Sequence, residues 1–167
     1  PQERIGAIRW MLIARSKVLR VMLLQSKLTP EKEINITDMD PDTFKDFLVY
    51  IYGHDNTSSL QFEAAVSLLC AAEKYDVQEL KNRLDDVITP NVTARNVFVL
   101  LQKAFVCEKA PKLWEAVTEI IQYRTEEVFS HAQFPTVMPE VLLYIVQQDC
   151  LSVPEIEVWR AALNWST

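Results

Sequence analysis

Glycine is almost missing from this chain, with two residues in 167. Phosphate-cradling loops need several glycines in close order, and loose linkers or collagen-like repeats need many more, so all three are excluded. Histidine is equally scarce. His54 and His131 stand in polar stretches with no cysteine or carboxylate pair at ligand spacing, which argues against zinc and against a Ser-His-Asp arrangement. The three cysteines, Cys70, Cys107 and Cys150, are odd in number, far apart and set among apolar residues. Neither a disulfide framework nor a metal-ligand set can be read from them, and a reducing compartment fits. Cys70, between Leu69 and Ala71, reads as an inert, buried thiol.

Positive charge is also in short supply. Lys and Arg number 17 against 23 Asp and Glu, a formal net charge of -6. Binding to a nucleic-acid backbone needs clustered cations, so no nucleic-acid partner is expected. The one basic stretch, Arg9, Arg15, Lys17 and Arg20, is interleaved with apolar residues at helical spacing and reads as a solvated helix face. No uncharged apolar run approaches the eighteen or so residues that span a bilayer. With no leader expected either, the reading is a cytoplasmic protein with no membrane partner. The Asn-x-Ser/Thr triplets at Asn35, Asn56, Asn91 and Asn164 then carry no meaning. Adjacent carboxylates, Asp85 with Asp86 and Glu126 with Glu127, diverge by about 100° on a helix and cannot converge as an acid and a base. Neither an enzyme nor a cofactor is expected.

What the chain does have is apolar side chain, 49% of its residues, enough to build a sizeable core. Residues 4–9 alternate weakly, as the end of a strand would. Trp10, Leu12, Ile13, Val18, Leu19 and Met22 predict two short helical stretches broken near Ser16. After a polar connection from Leu24 to Glu33, Ile34 and Ile36 alternate with Asn35 and Thr37, the pattern of a short half-buried strand. Asp40-Pro41 is a helix start, since the carboxylate can accept from orphan amides and proline needs no donor there. Phe44, Phe47, Leu48 and Ile51 follow on one face until Gly53. Two more amphipathic helices carry Phe62, Ala65, Val66 and Leu69, then Val77, Leu80, Leu84 and Val87, with Pro90 as a stop.

From there on only helices are expected. They carry Val97, Leu100, Leu101 and Ala104; then Leu113, Val117, Ile120 and Ile121; a short turn at 126–129; and Val141, Leu142, Ile145 and Val146 after Pro139. A last helix starts at a capping box of Ser152 and Glu155. Trp10, Trp114, Trp159 and Trp165 are expected at buried helical positions, not as a stacking platform for single-stranded nucleic acid. The boundary between a mixed first half and a helical-hairpin stack falls near Thr89 to Thr93.

Three blocks, IGAIRWMLIARSKVLRVML, EINITDMDPDTFKDFLVYIYG and AAVSLLCAAEKYDVQELKNRLDDVI, resemble the central and C-terminal part of a BTB/POZ domain. The closing stretch LSVPEIEVWRAALNW is similar to a BACK domain. The resemblance implies a mostly α fold: a partial BTB/POZ domain at 1–89, N-terminally truncated and retaining a short residual sheet, then an all-α BACK stack at 90–167, incomplete at its C-terminus. It implies a cytosolic adaptor of a cullin-3 ubiquitin ligase, with the substrate protein held by a domain outside the chain, and a BTB homodimer. The BTB-BACK-PHR group, some of whose members are linked to neuronal development, and the kelch-like proteins both fit. A BTB scaffold without a ligase role is the alternative.

Two departures stand out. Where the family usually has Ala-His-Lys, the chain has Ala7, Ile8 and Arg9, and the usual proline after Ser16 is Lys17. The family's cullin contact often includes a hydrophobic-x-Glu motif before the strand placed at 34–37; here Leu28 is followed by Glu31, one residue farther. The resemblance thus makes Leu28 and Glu31, then Tyr52 and Asp55, the candidate cullin-binding residues. Read without it, Leu28 and Glu31 fit any exposed loop, and Tyr52 and Asp55 a core-edge tyrosine and a turn aspartate.

Overall fold

Side chains hold orphan backbone amides at two helix starts of the first unit, Ser16 before Leu19 and Asp40 before Thr43. The computed structural model describes residues 3–25, 34–103 and 111–165; Leu28, Glu31, Ala104 and Cys107 lie outside the described residues. Ten α-helices occur among the described residues, and the chain divides into two compact units, Pro1–Val87 and Ile88–Thr167.

In the first unit, α1 (Arg9–Arg15) and α2 (Lys17–Gln25) fold back on each other. The break between them is Ser16, in extended conformation and almost fully buried. Its hydroxyl accepts from the Leu19 amide at 3.1 Å, capping α2, and donates to the Tyr75 carbonyl at 2.6 Å. Two arginines staple the pair, Arg9 donating to the Leu23 carbonyl at 2.7 Å and Arg20 to that of Ile13 at 3.0 Å. Both satisfy carbonyls that a short helix leaves open at its end.

Helix α3 (Pro41–Ile51) starts as the sequence predicts. Asp40 accepts from the amides of Asp42 at 3.1 Å and Thr43 at 2.9 Å, and from the Thr43 hydroxyl at 2.6 Å. It ends at Gly53, with φ of 93°, where the Gly53 amide reaches the Tyr50 carbonyl and the His54 amide that of Val49. These are the paired bonds of a Schellman motif, which requires a left-handed residue where only glycine is free of strain. After a 3₁₀ turn at Thr57–Ser59, α4 (Phe62–Lys74) packs on α3 and closes by the same two bonds, from Asp76 to Glu73 and from Val77 to Ala72. Asp76 takes the left-handed position at φ of 50°, one that aspartate tolerates better than most residues.

Helix α5 (Gln78–Ile88) follows. The core beneath these helices is built from Leu19, Phe47, Ile51, Val66, Leu69, Leu80 and Leu84, all essentially inaccessible. Each such side chain contributes about 1.5–3 kcal/mol on leaving water.

The expected strands do not form: among the described residues no strand occurs. The alternation at 34–37 survives as alternating burial, Ile34 and Ile36 half-buried and Asn35 and Thr37 exposed. Period two sets which side faces the core, but a strand also needs a laddered partner, and residues 4–9 do not supply one. Residues 3–8 run instead to α1 as a segment tied to α3, by Glu3 to Lys45 at 3.1 Å.

The second unit carries α6 (Val97–Lys103), α7 (Pro111–Tyr123), α8 (Thr125–Phe129), α9 (Pro139–Val146) and α10 (Glu155–Trp165). Phe98, Phe129 and Phe134 form an aromatic cluster with His131 stacked on Phe98 at 4.9 Å. Val117, Ile121, Val141 and Ile145 complete the core. The capping box expected at Ser152 is not made. Ser152 turns to the start of α8, its hydroxyl meeting that of Thr125 at 3.1 Å and its amide donating to the Gln122 carbonyl at 2.9 Å, and α10 begins three residues later. Trp165 pins the end of α10 by donating to the Val137 carbonyl at 2.9 Å. Of the tryptophans expected inside, Trp114 and Trp165 are half-buried, whereas Trp10 and Trp159 are 73% and 66% exposed. No described helix is long and apolar enough to cross a membrane.

The Asp40 cap can be tested through pH. Its hydrogen bonds from the Thr43 side chain and amide hold the carboxyl below its usual range. A carboxylate lowered by folding contributes stability above its unfolded pKa of about 3.9, and that contribution is lost as pH falls through the folded value. Asp40→Ala should therefore cost about 1 kcal/mol near neutral pH, as N-cap removals do. The gap to the parent in urea midpoint should close as the pH falls well below about 4.

Candidate partner-binding surface

The C-terminal end of α3 is where sequence-derived site residues and structure meet. The Schellman turn at Gly53 forces the chain sharply off the helix axis, so Tyr52 stays on the last turn while Asp55 lies in the loop beyond. Tyr52 is half-buried. Its hydroxyl accepts the backbone amide of Ile8 at 2.9 Å, 44 residues earlier, and so fixes residues 3–8 against α3. Ile8 is singled out in the sequence only as a departure from the family pattern, not as a candidate site residue. Its contribution is a backbone amide, which every residue but proline has, so no side-chain signal marks it.

Asp55 is a turn aspartate, as its residue type suggests. One carboxylate oxygen, Oδ1, accepts from the Thr57 hydroxyl at 2.6 Å and the Thr57 amide at 3.1 Å. Thr57 is buried at 2% exposure, so the turn is anchored in the core. Those bonds, the hydroxyl's first, hold the Asp55 carboxyl below its usual range and keep it ionised at neutral pH. The other oxygen, Oδ2, lies 3.7 Å from Arg83 Nε on α5, an ion-pair distance beyond hydrogen-bond reach. Behind the loop, Asn56 donates to Asp46 of α3 at 3.1 Å. The exposed apolar neighbours are Ile8 and, one turn before Tyr52, Val49. Tyr52 thus ties to the 3–8 segment and Asp55 faces Arg83 of α5, and Leu28 and Glu31 lie outside the described residues.

A belt of ion pairs crosses the same unit: Arg15 with Glu79 at 3.2 Å, Lys17 with Asp76 at 3.1 Å and Lys74 with Asp38 at 2.7 Å. Buried Lys81 meets Glu73. This accounts for the basic stretch of α1 and α2, whose Arg15 and Lys17 face acidic residues of the α4–α5 region. No cluster of three or more metal-ligating side chains is assembled among the described residues.

With this geometry in hand, the chain can be set beside known proteins. A BTB/POZ domain family profile matches residues 2–91, and the profile described as BTB And C-terminal Kelch, the BACK domain, matches residues 101–167. The chain belongs to the BTB/POZ family. It carries a BACK domain after the BTB/POZ domain, as the sequence blocks predict. Curated relatives include BTB/POZ domain-containing protein 3 of Homo sapiens, 28% identical over 164 residues, which cover 98% of this chain and 31% of that protein. BTB/POZ domain-containing protein 6 of Mus musculus is also 28% identical, over 98% of this chain and 30% of its own length. For BTB/POZ domain-containing protein 9 of Drosophila melanogaster the figures are 27%, 99% and 23%. The chain therefore spans about a third or less of the relatives it matches. A BTB/POZ domain followed by a BACK domain marks a protein-interaction adaptor family.

Removal of the Tyr52 hydroxyl should loosen the 3–8 segment first. Tyr52→Phe is expected to speed hydrogen exchange at the Ile8 amide and to cost about 1 kcal/mol or less, the usual net value of one hydrogen bond at the surface. Unchanged exchange at Ile8 would mean that Tyr52 does not hold the segment.

Proposed function

We propose that this chain is the scaffold-binding part of a substrate adaptor for a cullin-3 RING ubiquitin ligase. In this reading the BTB/POZ domain, residues 1–89, docks the cullin. The BACK domain, residues 90–167, sets the distance to a substrate-binding domain outside the chain. The observation that carries it is the order of the two domains, a BTB/POZ match followed directly by a BACK match. The docking residues proposed are Leu28 and Glu31, then Tyr52 and Asp55. The adaptor works by binding alone, without catalysis or cofactor, as a cytoplasmic protein acting in protein ubiquitination, with a BTB homodimer as its working form. A role in neuronal development follows from the likeness to the BTB-BACK-PHR group.

The experiment is calorimetric titration of the chain with the N-terminal domain of cullin-3. The parent should bind, and a Leu28→Ala, Glu31→Ala double variant should bind at least about tenfold more weakly, a loss of about 1.4 kcal/mol. Binding untouched by the double variant would move the interface off that loop. No binding by the folded chain would overturn the ligase role in favour of a BTB scaffold that only oligomerises or recruits a partner, which the Leu28-to-Glu31 spacing also fits.

A further inference from the structure

Helix α10 carries apolar side chains on both of its sides. Its one fully buried residue is Ala161, at 7% exposure. On the opposite side Ile156, Trp159 and Leu163 are 58%, 66% and 55% exposed. At 100° per residue these three fall within about 60° of one another, so they form one stripe along the helix. Helix α7 of the same unit shows the contrast. The same spacing on its outer side is filled by Lys112, Glu115 and Glu119, all exposed. A single exposed apolar residue needs no explanation, but a continuous stripe with an aromatic at its centre marks a surface that another protein covers.

The stripe is close to a palindrome, and that identifies what fits it. Ile156 and Leu163 stand equally far from the midpoint between Trp159 and Arg160. We propose that a second copy of this chain covers the stripe, the two α10 helices running antiparallel about a two-fold axis through that midpoint. Ile156 of each copy then faces Leu163 of the other, and the two Trp159 rings meet beside the axis. Arg160 lies on the flank away from Trp159, exposed and paired with Glu157 of its own chain. In the antiparallel pair the same flanks meet, so each Arg160 also comes within reach of Glu157 of the other copy, and the charges alternate in sign. The antiparallel arrangement opposes the two helix dipoles as well. An isologous contact needs one patch that complements itself, and this stripe does so in both its apolar and its charged positions. The contact belongs to the second unit and goes beyond both the cullin reading and a BTB homodimer. Confined to one helix face, it falls at the small, transient end of protein interfaces, so the dimer is expected in the micromolar range.

Cysteine pairs test the register directly. Residues 156 and 163 of one chain lie about 10.5 Å apart along the helix, beyond the reach of a disulfide, whereas across the two-fold axis they face each other. Cys150→Ser in the background removes an exposed native thiol. Ile156→Cys chains mixed with Leu163→Cys chains should then give a disulfide-linked dimer on mild oxidation, and neither variant should do so alone. In sedimentation equilibrium Trp159→Glu should keep the parent melting temperature and weaken one association step at least tenfold. A dimer held through the first unit would persist in that variant, so the two contacts are told apart. No cross-link in the mixture, or a Trp159→Glu variant that associates as the parent does, overturns the proposal and leaves the stripe to a different partner. Cross-linking by either cysteine variant alone overturns the antiparallel register.

Discussion

The first unit hangs on one residue, Tyr75, at the end of α4. It is the C-cap of that helix, so its position is set by the Schellman bonds of Asp76 and Val77. Its carbonyl accepts the hydroxyl of Ser16 and so holds the break between α1 and α2. Its ring lies 5.7 Å from that of Phe47 in the centre of α3. Its hydroxyl donates to Asp38 at 3.1 Å, in the turn that leads into α3. Burial, aided by the Asp38 charge, pushes the phenol well above its usual pKa, so it remains a donor at any ordinary pH. Three helical segments far apart in sequence are thereby referenced to a single residue. The tight turn at Asp76 is what presents the Tyr75 carbonyl to Ser16, and Asp76 is itself held by Lys17 from the first turn of α2.

How much of this is legible in the sequence depends on the range of the interaction. The Asp40-Pro41 start and the stop at Gly53 are local, each decided by residues within one turn, and both are read correctly; the break at Ser16 is read correctly too, though its hydroxyl is also held by Tyr75, 59 residues on. The strand at 34–37 fails because alternation reports which side chains face inward and nothing about whether a neighbouring backbone is there to pair. The capping box at Ser152 fails for a related reason. Serine and glutamate at the right spacing offer a local bond, but Thr125, 27 residues earlier, competes for the serine and wins. Trp10 and Trp159 mislead because aromatic content is a good guide to burial on average and a poor one for residues on the outer face of a helix. On α10 the buried position is Ala161, opposite Trp159.

The candidate docking residues divide in the same way. Tyr52 and Asp55 are named through the family resemblance, while residue type alone shows Asp55 as a turn residue, since Asp-x-Thr favours a side-chain-to-backbone bond two residues on. Their partners within the chain cannot be read. Which lone pair of Tyr52 is taken depends on Ile8, and which oxygen of Asp55 is committed depends on a turn closed by buried Thr57. A tyrosine hydroxyl is both donor and acceptor, and only the fold shows which partner it takes.

The two departures from the family pattern make sense on this footing. At Ile8 the contact retained is a backbone amide on the Tyr52 hydroxyl, so the loss of a histidine side chain there does not remove the tie between the N-terminal segment and α3. At Lys17 the usual proline would need no donor at the first position of α2, and Ser16 caps the helix by accepting from Leu19 in either case. A lysine at that position adds what proline cannot, a cation within 3.1 Å of Asp76. An exposed pair of this kind is worth little by itself. Its place matters more than its strength, because it bridges the first turn of α2 to the left-handed residue after Tyr75. At both sites the connection this chain makes runs through the backbone, the Ile8 amide to Tyr52 and the Leu19 amide to Ser16, and so does not depend on the side chain that departs from the family pattern.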